Sequence, residues 1–351
     1  MDRQPDCAEP TPSEVLLRRV RSRVRQFPVP DDTLVPLEAD DRELRRFGLP
    51  ARPDARIRPR EFDVWRRLLS PPFGRKLTYA TQAFRVFFAQ NYRIDPRGRR
   101  LTGGSRHERS ENWSGGYIKP HAGRSFTAVW GSWTIPKPVY PAPGGAQPGA
   151  LYKCSTWVGL DGQRRYFDSS LPQIGTSQGI DPITGAPVYE AWWQWWARGE
   201  MSPVVPILFL QHGLHAMDEM IARVEVTSPT SALLTLKNQT TGEFGMRAEV
   251  HAPMIKLPKL PLPMQPRISG ATAEWVTERP TIWASDTLYE MPDYGSVTFR
   301  DCLGITAIGE HPPIGAKLIN GYAVRQAPAR IRIVSTAQFK HQHSEIETRF
   351  R

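Results

Sequence analysis

A glutamate and a glutamine, about a hundred residues apart, are the side chains of this sequence that are best suited to catalysis. Glu274 lies in the run Ala271–Val276, and Gln173 lies in the run Leu171–Gly175. A carboxylate can take a proton from water, and a primary amide can donate a hydrogen bond to a carbonyl oxygen as negative charge develops on it. Together the two groups could hydrolyse an amide bond without a nucleophilic side chain, a metal or a cofactor.

The two residues belong to a series of short motifs that follow one another between residues 112 and 299. These motifs are Asn112–Gly116, Gly131–Pro136, Trp157–Gly162, Gln173–Gly175, Ala191–Trp196, Asn238–Gly242, Ala273–Val276 and Asp293–Phe299. Each motif alone is a weak signal, but the collinear series resembles the glutamic peptidases, which are also called eqolisins and were formerly grouped as the A4 peptidases. The resemblance does not extend to the region before residue 110.

The resemblance implies a role for each residue of the pair. In the family, the glutamate of the Ala-Glu-Trp motif activates the attacking water and then protonates the leaving amine, and Glu274 matches this residue. Gln173 matches the family's glutamine, whose amide donates to the oxyanion. Because Glu274 must change its protonation state during the cycle, we expect a mildly acidic working pH. Gln178 and Glu278 are nearby alternatives, of which Glu278 is expected to be structural.

The resemblance also implies an active-site floor and an aromatic substrate cleft. The residues expected to support the site or line the cleft are Trp113, Trp157, Asp161, Trp193, Gln194, Trp195 and Asp293, with Trp192 and Trp196 as further walls. Because alternate side chains of a strand point to opposite faces, about half of these rings are expected in the core. The family usually has glutamate at position 194, so Gln194 removes a like charge near the pair and can shift the working pH or the substrate preference.

The sequence pattern beyond residue 113 is typical of short strands. Apolar, β-branched and aromatic runs are found at 126–130, 151–158, 221–226, 232–236 and 296–299. Glycine and proline turns separate these runs, which favours an antiparallel sandwich. The family resemblance implies an all-β, concanavalin A-like sandwich of two bent sheets with the active site on the concave face. The proline-rich stretch Pro253–Pro266 predicts a long surface loop.

Charge is distributed unevenly along the 351 residues. Residues 1–110 contain 24 Lys and Arg and 15 Asp and Glu, a net charge of +9, whereas residues 111–351 contain 22 and 20, a net charge of +2. We therefore expect a basic, mostly helical or irregular extension over residues 1–110, and a glutamic-peptidase-like sandwich over residues 112–351. The polar stretch at 97–111 predicts a linker and a protease-sensitive site. The extension is expected to act as a pro-region or a docking segment.

Three helices are predicted within the extension. A capping box at Thr11–Glu14 predicts a first helix, with apolar residues on one face as far as Val24 and Phe27. A second helix is predicted from Asp41 to Phe47, with Gly48 as its C-terminal stop. The third is predicted from the apolar residues between 62 and 69, ahead of two prolines.

The sequence indicates no metal site, no cofactor and no membrane span. His212 and His215 lack further residues at zinc-site spacing, and no apolar run reaches the 18 residues typical of a spanning helix. The family is mostly secreted, but the N-terminus lacks the apolar core of a signal peptide, so the compartment stays open. The cysteines Cys7, Cys154 and Cys302 are expected to be buried free thiols, with a bridge between Cys154 and Cys302 as the alternative.

Two other classes of function are alternatives to a peptidase that acts on protein or peptide substrates. A tryptophan-rich concave face is also typical of non-catalytic peptide- or carbohydrate-binding sandwiches, but the presence of both Gln173 and Glu274 speaks against this class. Nucleic-acid binding through the arginine-rich extension is the other. Its arginines alternate with acidic residues and no nucleic-acid-binding motif accompanies them, which speaks against nucleic acid as a partner.

Overall fold

Antiparallel strands make up most of the described chain. The computed structural model describes residues 22–30, 33–70, 87–88, 107–121, 123–143, 145, 147, 149–162, 170–197, 213–242, 244–257, 261–282, 287–325 and 330–351. The strands within these ranges are β1 Val24–Gln26, β2 Phe87–Phe88, β3 His107–Ser110, β4 Trp113–Ile118, β5 Ala128–Thr134, β6 Lys153–Leu160, β7 Ser170–Ile180, β8 Pro187–Ala197, β9 Glu219–Ser228, β10 Ser231–Asn238, β11 Phe244–His251, β12 Ala273–Glu278, β13 Thr281–Ile282, β14 Ser296–Thr306, β15 Gly309–His311, β16 Lys317–Arg325, β17 Arg330–Lys340 and β18 Glu345–Phe350.

Two of the three predicted helices lie in the described residues, and both are confirmed. Helix α1 spans Asp41–Arg46; the side chain of Asp40 accepts hydrogen bonds from the first-turn amides, and Gly48 follows the helix with a φ of 64°. Helix α2 spans Pro59–Leu68 and begins with its proline. The first predicted helix lies mostly outside the described residues, and its end is wrong, because Val24–Gln26 is strand β1.

Sixteen of the strands form one long, bent sheet whose two halves pack face to face, and β2 and β13 form a separate two-stranded sheet. The order is β1-β11-β10-β9-β5-β14-β18-β17-β16-β4-β12-β6-β7-β8, with β15 beside β14 and β3 beside β16. The first half runs from β1 to β14 in this order, and the second half runs from β14 to β8. Strand β14 belongs to both halves, because its residues Ser296–Phe299 pair with β18 and its stretch from Arg300 to Ile305 pairs with β5. The expected all-β sandwich of two bent sheets is confirmed.

The core between the two halves follows from the alternation of side chains along each strand. The first half contributes apolar side chains from β5, β9, β10 and β11, and the second half contributes Val158, Ile174 and Trp275. Trp275 donates a hydrogen bond from its ring nitrogen to the carbonyl of Trp130, at 2.7 Å. The residue next to Glu274 is therefore fixed in the core, and Glu274 itself faces away from it.

The two helices cover the outer face of the first half-sheet. Leu44, Val64, Trp65 and Leu68 are buried there against β5, β9 and β14. At the start of α2, the carboxylate of Glu310 accepts the backbone amides of Arg60 and Glu61. Beyond the end of α2, the buried ammonium of Lys237 donates to the carbonyls of Leu68 and Ser70. Residues 33–70 are thus packed on the sandwich.

This arrangement bears on the expected division of the chain at residue 110. Strand β1 pairs with β11, and His107–Ser110, expected in a linker, forms a strand parallel to β16. Strand β2 pairs with β13, close to the end of β12. The described part of the N-terminal region therefore belongs to the same body as the sandwich, and α1 and α2 lie on the side opposite to Glu274. The rest of the predicted linker, 97–106, lies outside the described residues.

Other expectations are confirmed only in part. Cys154 and Cys302 are buried free thiols, while Cys7 lies outside the described residues. The proline-rich stretch is not wholly a surface loop, because Ile255 and Leu257 are buried against Ala197.

Within the described residues, no helix has the length and apolar character needed to cross a membrane.

Candidate active site

Glu274 and Gln173 lie in one row across three neighbouring strands. Glu274 of β12 is opposite Gly159 of β6, and Gly159 is opposite Gln173 of β7. The same row continues to Tyr117 of β4 on one side and to Gln194 of β8 on the other. Directly opposite residues of antiparallel strands point to the same face. The two predicted catalytic side chains therefore share the outer face of the second half-sheet.

Gly159 has no side chain, and the side chains of its neighbours pack closely into the space that one would take. A β-carbon at this position would lie 2.7 Å from Leu171 Cδ1, 3.1 Å from the ring of Trp157 and 3.2 Å from Gln173 Cβ. Such contacts are too close for unstrained packing, so the glycine permits the close approach of its neighbours. Glu274 and Gln173 therefore lie on one face, on either side of this glycine.

The carboxylate of Glu274 is held through one of its two oxygens. Oε1 accepts a hydrogen bond from Thr272 Oγ1 at 2.5 Å and another from the backbone amide of Gly162 at 2.9 Å. Oε2 has no hydrogen-bond partner among the residues that the structure describes. The side chain is fully buried. One oxygen is thus fixed by two donors and the other is available for a reacting molecule.

Burial changes the proton affinity of Glu274. The pKa of this carboxyl is raised to about 8, first by desolvation and also by the nearby negative charge of Asp161. The hydrogen bonds from Thr272 and Gly162 act in the opposite direction, since they favour the ionised form. A carboxyl whose pKa lies well above its usual range can both give and take a proton near neutral pH.

Asp161 supports the chain segment that leads into β12. Its carboxylate accepts the backbone amides of Ser269, Gly270 and Ala271, at 2.5, 3.0 and 2.6 Å, and its own amide donates to the carbonyl of Thr272. The residue has a φ of 69°, which is uncommon for a non-glycine residue. Through these backbone contacts Asp161 holds the segment that ends at Thr272, two residues before the glutamate.

Gln173 is oriented by the neighbouring strand β8. Its Nε2 donates to Oε1 of Gln194 at 3.2 Å, and its own Oε1 has no partner in the described part of the chain. The preceding Pro172, which removes a ladder donor, pairs only with Trp195 of β8 and lies just beyond the β6–β7 ladder. The proline is therefore compatible with this strand.

Aromatic rings form the floor beside the row. The rings of Trp113 and Trp157 meet edge to face, with centroids 4.9 Å apart, and both belong to a buried cluster that also contains Leu171 and Trp192. The ring nitrogen of Trp157 donates to Glu278 at 2.8 Å. Asn112 also donates to Glu278 at 3.3 Å. Glu278 therefore anchors the floor, as expected of a structural carboxylate.

Three residues expected at the site lie elsewhere. Trp193 and Trp195 are two positions apart and share a face of β8, but this face packs into the core between the half-sheets. Trp192 lies on the face of Gln194 instead. Asp293 pairs with Val139 and accepts the amide of Gly295, so it forms the turn before β14. Each of these three placements in the cleft was wrong.

The alternative glutamine is also placed away from Glu274. Gln178 projects from β7 to the core side, where its amide donates to Thr156 at 2.9 Å and to the sulfur of Cys154 at 3.3 Å. By contrast, Thr272 and Gly162 contact Glu274 directly, although sequence reasoning did not single them out. The signal for Thr272 was its position two residues before Glu274, which places it on the same face.

Within the described ranges, no group of three or more His, Cys, Asp and Glu side chains could hold a metal ion. The site contains an ionisable carboxyl with one oxygen that has no partner in the described residues, an amide on the same face two strands away, and an aromatic floor. This combination can move a proton and stabilise an oxyanion.

Comparison with known proteins identifies the family. Residues 111–343 match the model of the Peptidase A4 family. Aspergillopepsin-2 of Aspergillus niger is 26% identical over 214 residues, which cover 58% of this chain and 67% of that protein.

Solved structures with the same fold include scytalido-glutamic peptidase. Its complex with a peptide-based transition-state analogue has a TM-score of 0.51 and 17% identity, over 69% of this chain and 98% of that one. A second complex of the same peptidase, with a transition-state analogue inhibitor, has a TM-score of 0.50 and 18% identity over the same shares. The family match covers most of the chain and includes every strand of the row. The chain is therefore a member of the Peptidase A4 family, the glutamic peptidases or eqolisins.

Proposed function

We propose that the protein is an endopeptidase in which Glu274 activates water and Gln173 stabilises the oxyanion. Membership in a peptidase family assigns the chain to the hydrolases of peptide bonds. The observation that supports the finer assignment is that Glu274, whose Oε2 has no partner in the described residues, shares one face with Gln173, on either side of Gly159. Protein or peptide substrates fit this chemistry.

The first step is the attack of water on the peptide carbonyl. Glu274 Oε2 takes a proton from a water molecule while the water oxygen bonds to the carbonyl carbon. The carbonyl oxygen becomes an oxyanion, which accepts a hydrogen bond from Nε2 of Gln173. This nitrogen has two hydrogens, of which one is directed to Gln194, so the other can serve the oxyanion.

The second step breaks the carbon–nitrogen bond. Glu274, now protonated, gives its proton to the leaving amine, and the oxyanion collapses to a carboxyl group. The carboxylate is restored at the end of the cycle, so no external acid or base is consumed. The Gln173 amide remains in place throughout, because Gln194 holds its orientation.

The working pH depends on how far the site is hydrated. The pKa of about 8 belongs to the fully buried carboxyl, and desolvation is its largest cause. Both Glu274 and Gln173 have no exposed surface, so this face must open before a peptide can reach them. Opening admits water and removes the main cause of the raised pKa, while the hydrogen bonds that favour the carboxylate remain. We therefore propose activity at mildly acidic pH.

The test is proteolysis of a denatured protein such as casein across the acidic range up to neutral pH, with fragments identified by mass spectrometry. The proposal expects internal cleavage by the wild type, and no cleavage by Glu274→Gln. Binding of the substrate without cleavage by a folded wild-type protein, at every pH, would instead support a non-catalytic binding sandwich.

A further inference from the structure

Thr272 is linked to the proposed chemistry through one hydrogen bond, from its side-chain hydroxyl to Glu274. Its side chain is fully buried and its hydroxyl donates to Glu274 Oε1 at 2.5 Å. A buried hydroxyl has several possible acceptors in a β-sheet, including backbone carbonyls, yet this one is directed at the carboxylate. Hydrogen bonds to a charged acceptor are shorter and stronger than those between neutral groups.

Neighbouring groups determine where this hydroxyl lies. The backbone carbonyl of Thr272 accepts the amide of Asp161, whose carboxylate binds the three preceding amides. On the other side of Glu274, the amide of Gly162 reaches the same Oε1. A side chain at Gly162 would lie 3.2 Å from Oε2 and 2.7 Å from the ring of Trp113, so this glycine also leaves Oε2 uncrowded.

We propose that Thr272 is a positioning residue that holds Oε1 of Glu274 and so selects Oε2 as the atom that exchanges protons with water and the leaving amine. The inference rests on the proposed function, since it concerns the same proton transfers. A carboxylate that is free to rotate would present either oxygen and would lose the alignment toward Gln173. Fixing one oxygen keeps the reacting oxygen in the same place, beside Gly162, in both steps.

The bond also has an electrostatic consequence. A donor to the carboxylate favours its ionised form, so the Thr272 hydroxyl lowers the pKa of Glu274 against the effect of burial. Loss of the hydroxyl should therefore move the acid limb of the kcat/KM profile to higher pH. A merely structural role for Thr272 would change stability without moving this limb.

The experiment compares Thr272→Val, Thr272→Ser and a control, Thr277→Val. Valine has the shape of threonine without the donor, and serine restores the hydroxyl. Thr277 is also buried on β12, but it projects to the other face and bonds Thr348, so its replacement removes a buried threonine hydroxyl away from the site. All variants are purified as the full chain and checked by circular dichroism.

Thr272→Val should lower kcat by about tenfold to a hundredfold, the range for loss of a hydrogen bond to a charged group, with KM changed by less than about threefold. Its acid limb should move to higher pH. Thr272→Ser should recover most of kcat and the wild-type limb, and Thr277→Val should retain both. A wild-type rate and limb for Thr272→Val, or equal losses in the serine and valine variants, would overturn the proposal.

A second readout separates this inference from the proposed function. The proton held by Glu274 is measured by infrared difference spectroscopy of wild type minus Glu274→Gln, followed as a function of pH. Thr272→Val should move this titration to higher pH, whether or not the protein cleaves casein. If Glu274→Gln is inactive and the titration does not move in Thr272→Val, only the role of Thr272 fails. If Glu274→Gln cleaves casein normally, the proposed function itself fails.

Discussion

Glu274 and Gln173 face each other across a single strand, in a row where only the glycine of that strand, Gly159, separates them. Two strand spacings place their backbones about 10 Å apart, and side chains of their length can then meet a planar amide placed between them. A shift of one residue in either ladder would turn one of the two side chains into the core. The strand register therefore assembles the pair.

The first prediction concerns this pair. Glu274→Gln and Gln173→Ala should each lower kcat/KM by at least about a hundredfold, because one removes the proton acceptor and the other removes the oxyanion donor. The measurement is the rate of peptide cleavage by purified full-length protein.

Matched controls separate lost chemistry from lost packing. Gln178→Ala removes a buried glutamine of the same strand from the core face, and Glu219→Gln neutralises a carboxylate whose side chain is 56% exposed. Both controls should remain active when folded. Near-normal cleavage by either variant of the pair would refute the assignment of that residue.

The second prediction concerns Gln194, the acceptor that orients the catalytic amide. Gln194→Leu should lower kcat by about threefold to tenfold, because a neutral hydrogen bond contributes roughly 1 kcal/mol. Gln194→Glu should keep the acceptor, and its added negative charge should move the acid limb of kcat/KM to higher pH by raising the pKa of Glu274. Equal rates in wild type and Gln194→Leu would show that the amide does not depend on this contact.

Local sequence signals predicted the helices better than the strand at the N-terminal edge. Gly48 follows α1 as the predicted stop, and Asp40 caps its start; both signals act within a few residues. The apolar spacing from Val20 to Phe27 also suits a helix, but Val24 pairs with Val250 of β11. Pairing with a strand more than two hundred residues away overrides the local pattern.

The site was predictable as a set of motifs but not as a geometry. Alternation indicated that some tryptophans of 192–196 would be core, yet it could not say which, because the strand's orientation depends on its neighbours. The contact between Glu274 and Gly162 joins residues 112 positions apart. Such contacts are fixed by the order β12-β6-β7, which no local periodicity encodes.

The third prediction links Glu274 to the pH dependence of stability. In the unfolded chain its pKa is about 4.3, whereas burial raises it to about 8 in the folded protein. Between these values the folded state holds a proton that the unfolded state has released. Its contribution to stability is therefore full below pH 4.3 and is lost as the pH rises toward 8.

In the Glu274→Gln variant, stability should no longer fall through the ionisation of this side chain as the pH rises. The free energy of unfolding of the variant, relative to wild type, should increase by roughly a few kcal/mol between about pH 5 and pH 8. Urea denaturation at several pH values measures the difference, and Glu219→Gln should run parallel to wild type. Parallel curves for wild type and Glu274→Gln would mean that the glutamate is not buried as a neutral acid.

The last prediction concerns the docking of α2, which carries a buried carboxylate into the outer face of the sandwich. Glu61 accepts from the ring nitrogen of Trp130 at 3.0 Å and lies 3.6 Å from the guanidinium of Arg223, with all three residues buried. Glu61→Gln keeps an acceptor for Trp130 but removes a charge beside Arg223, which should cost about 1–3 kcal/mol of unfolding free energy. Asp63→Asn on the same helix alters an exposed pair with Arg66 and should cost less than about 0.5 kcal/mol.

Removal of residues 1–70 should be more severe, because it exposes Trp130, Ile221 and Leu303 to water. Urea unfolding of the variants and the solubility of the truncated chain measure these effects. A soluble, cooperatively folding protein that lacks residues 1–70 would show that the segment is separable from the sandwich, whereas an insoluble one would show that it is part of the fold.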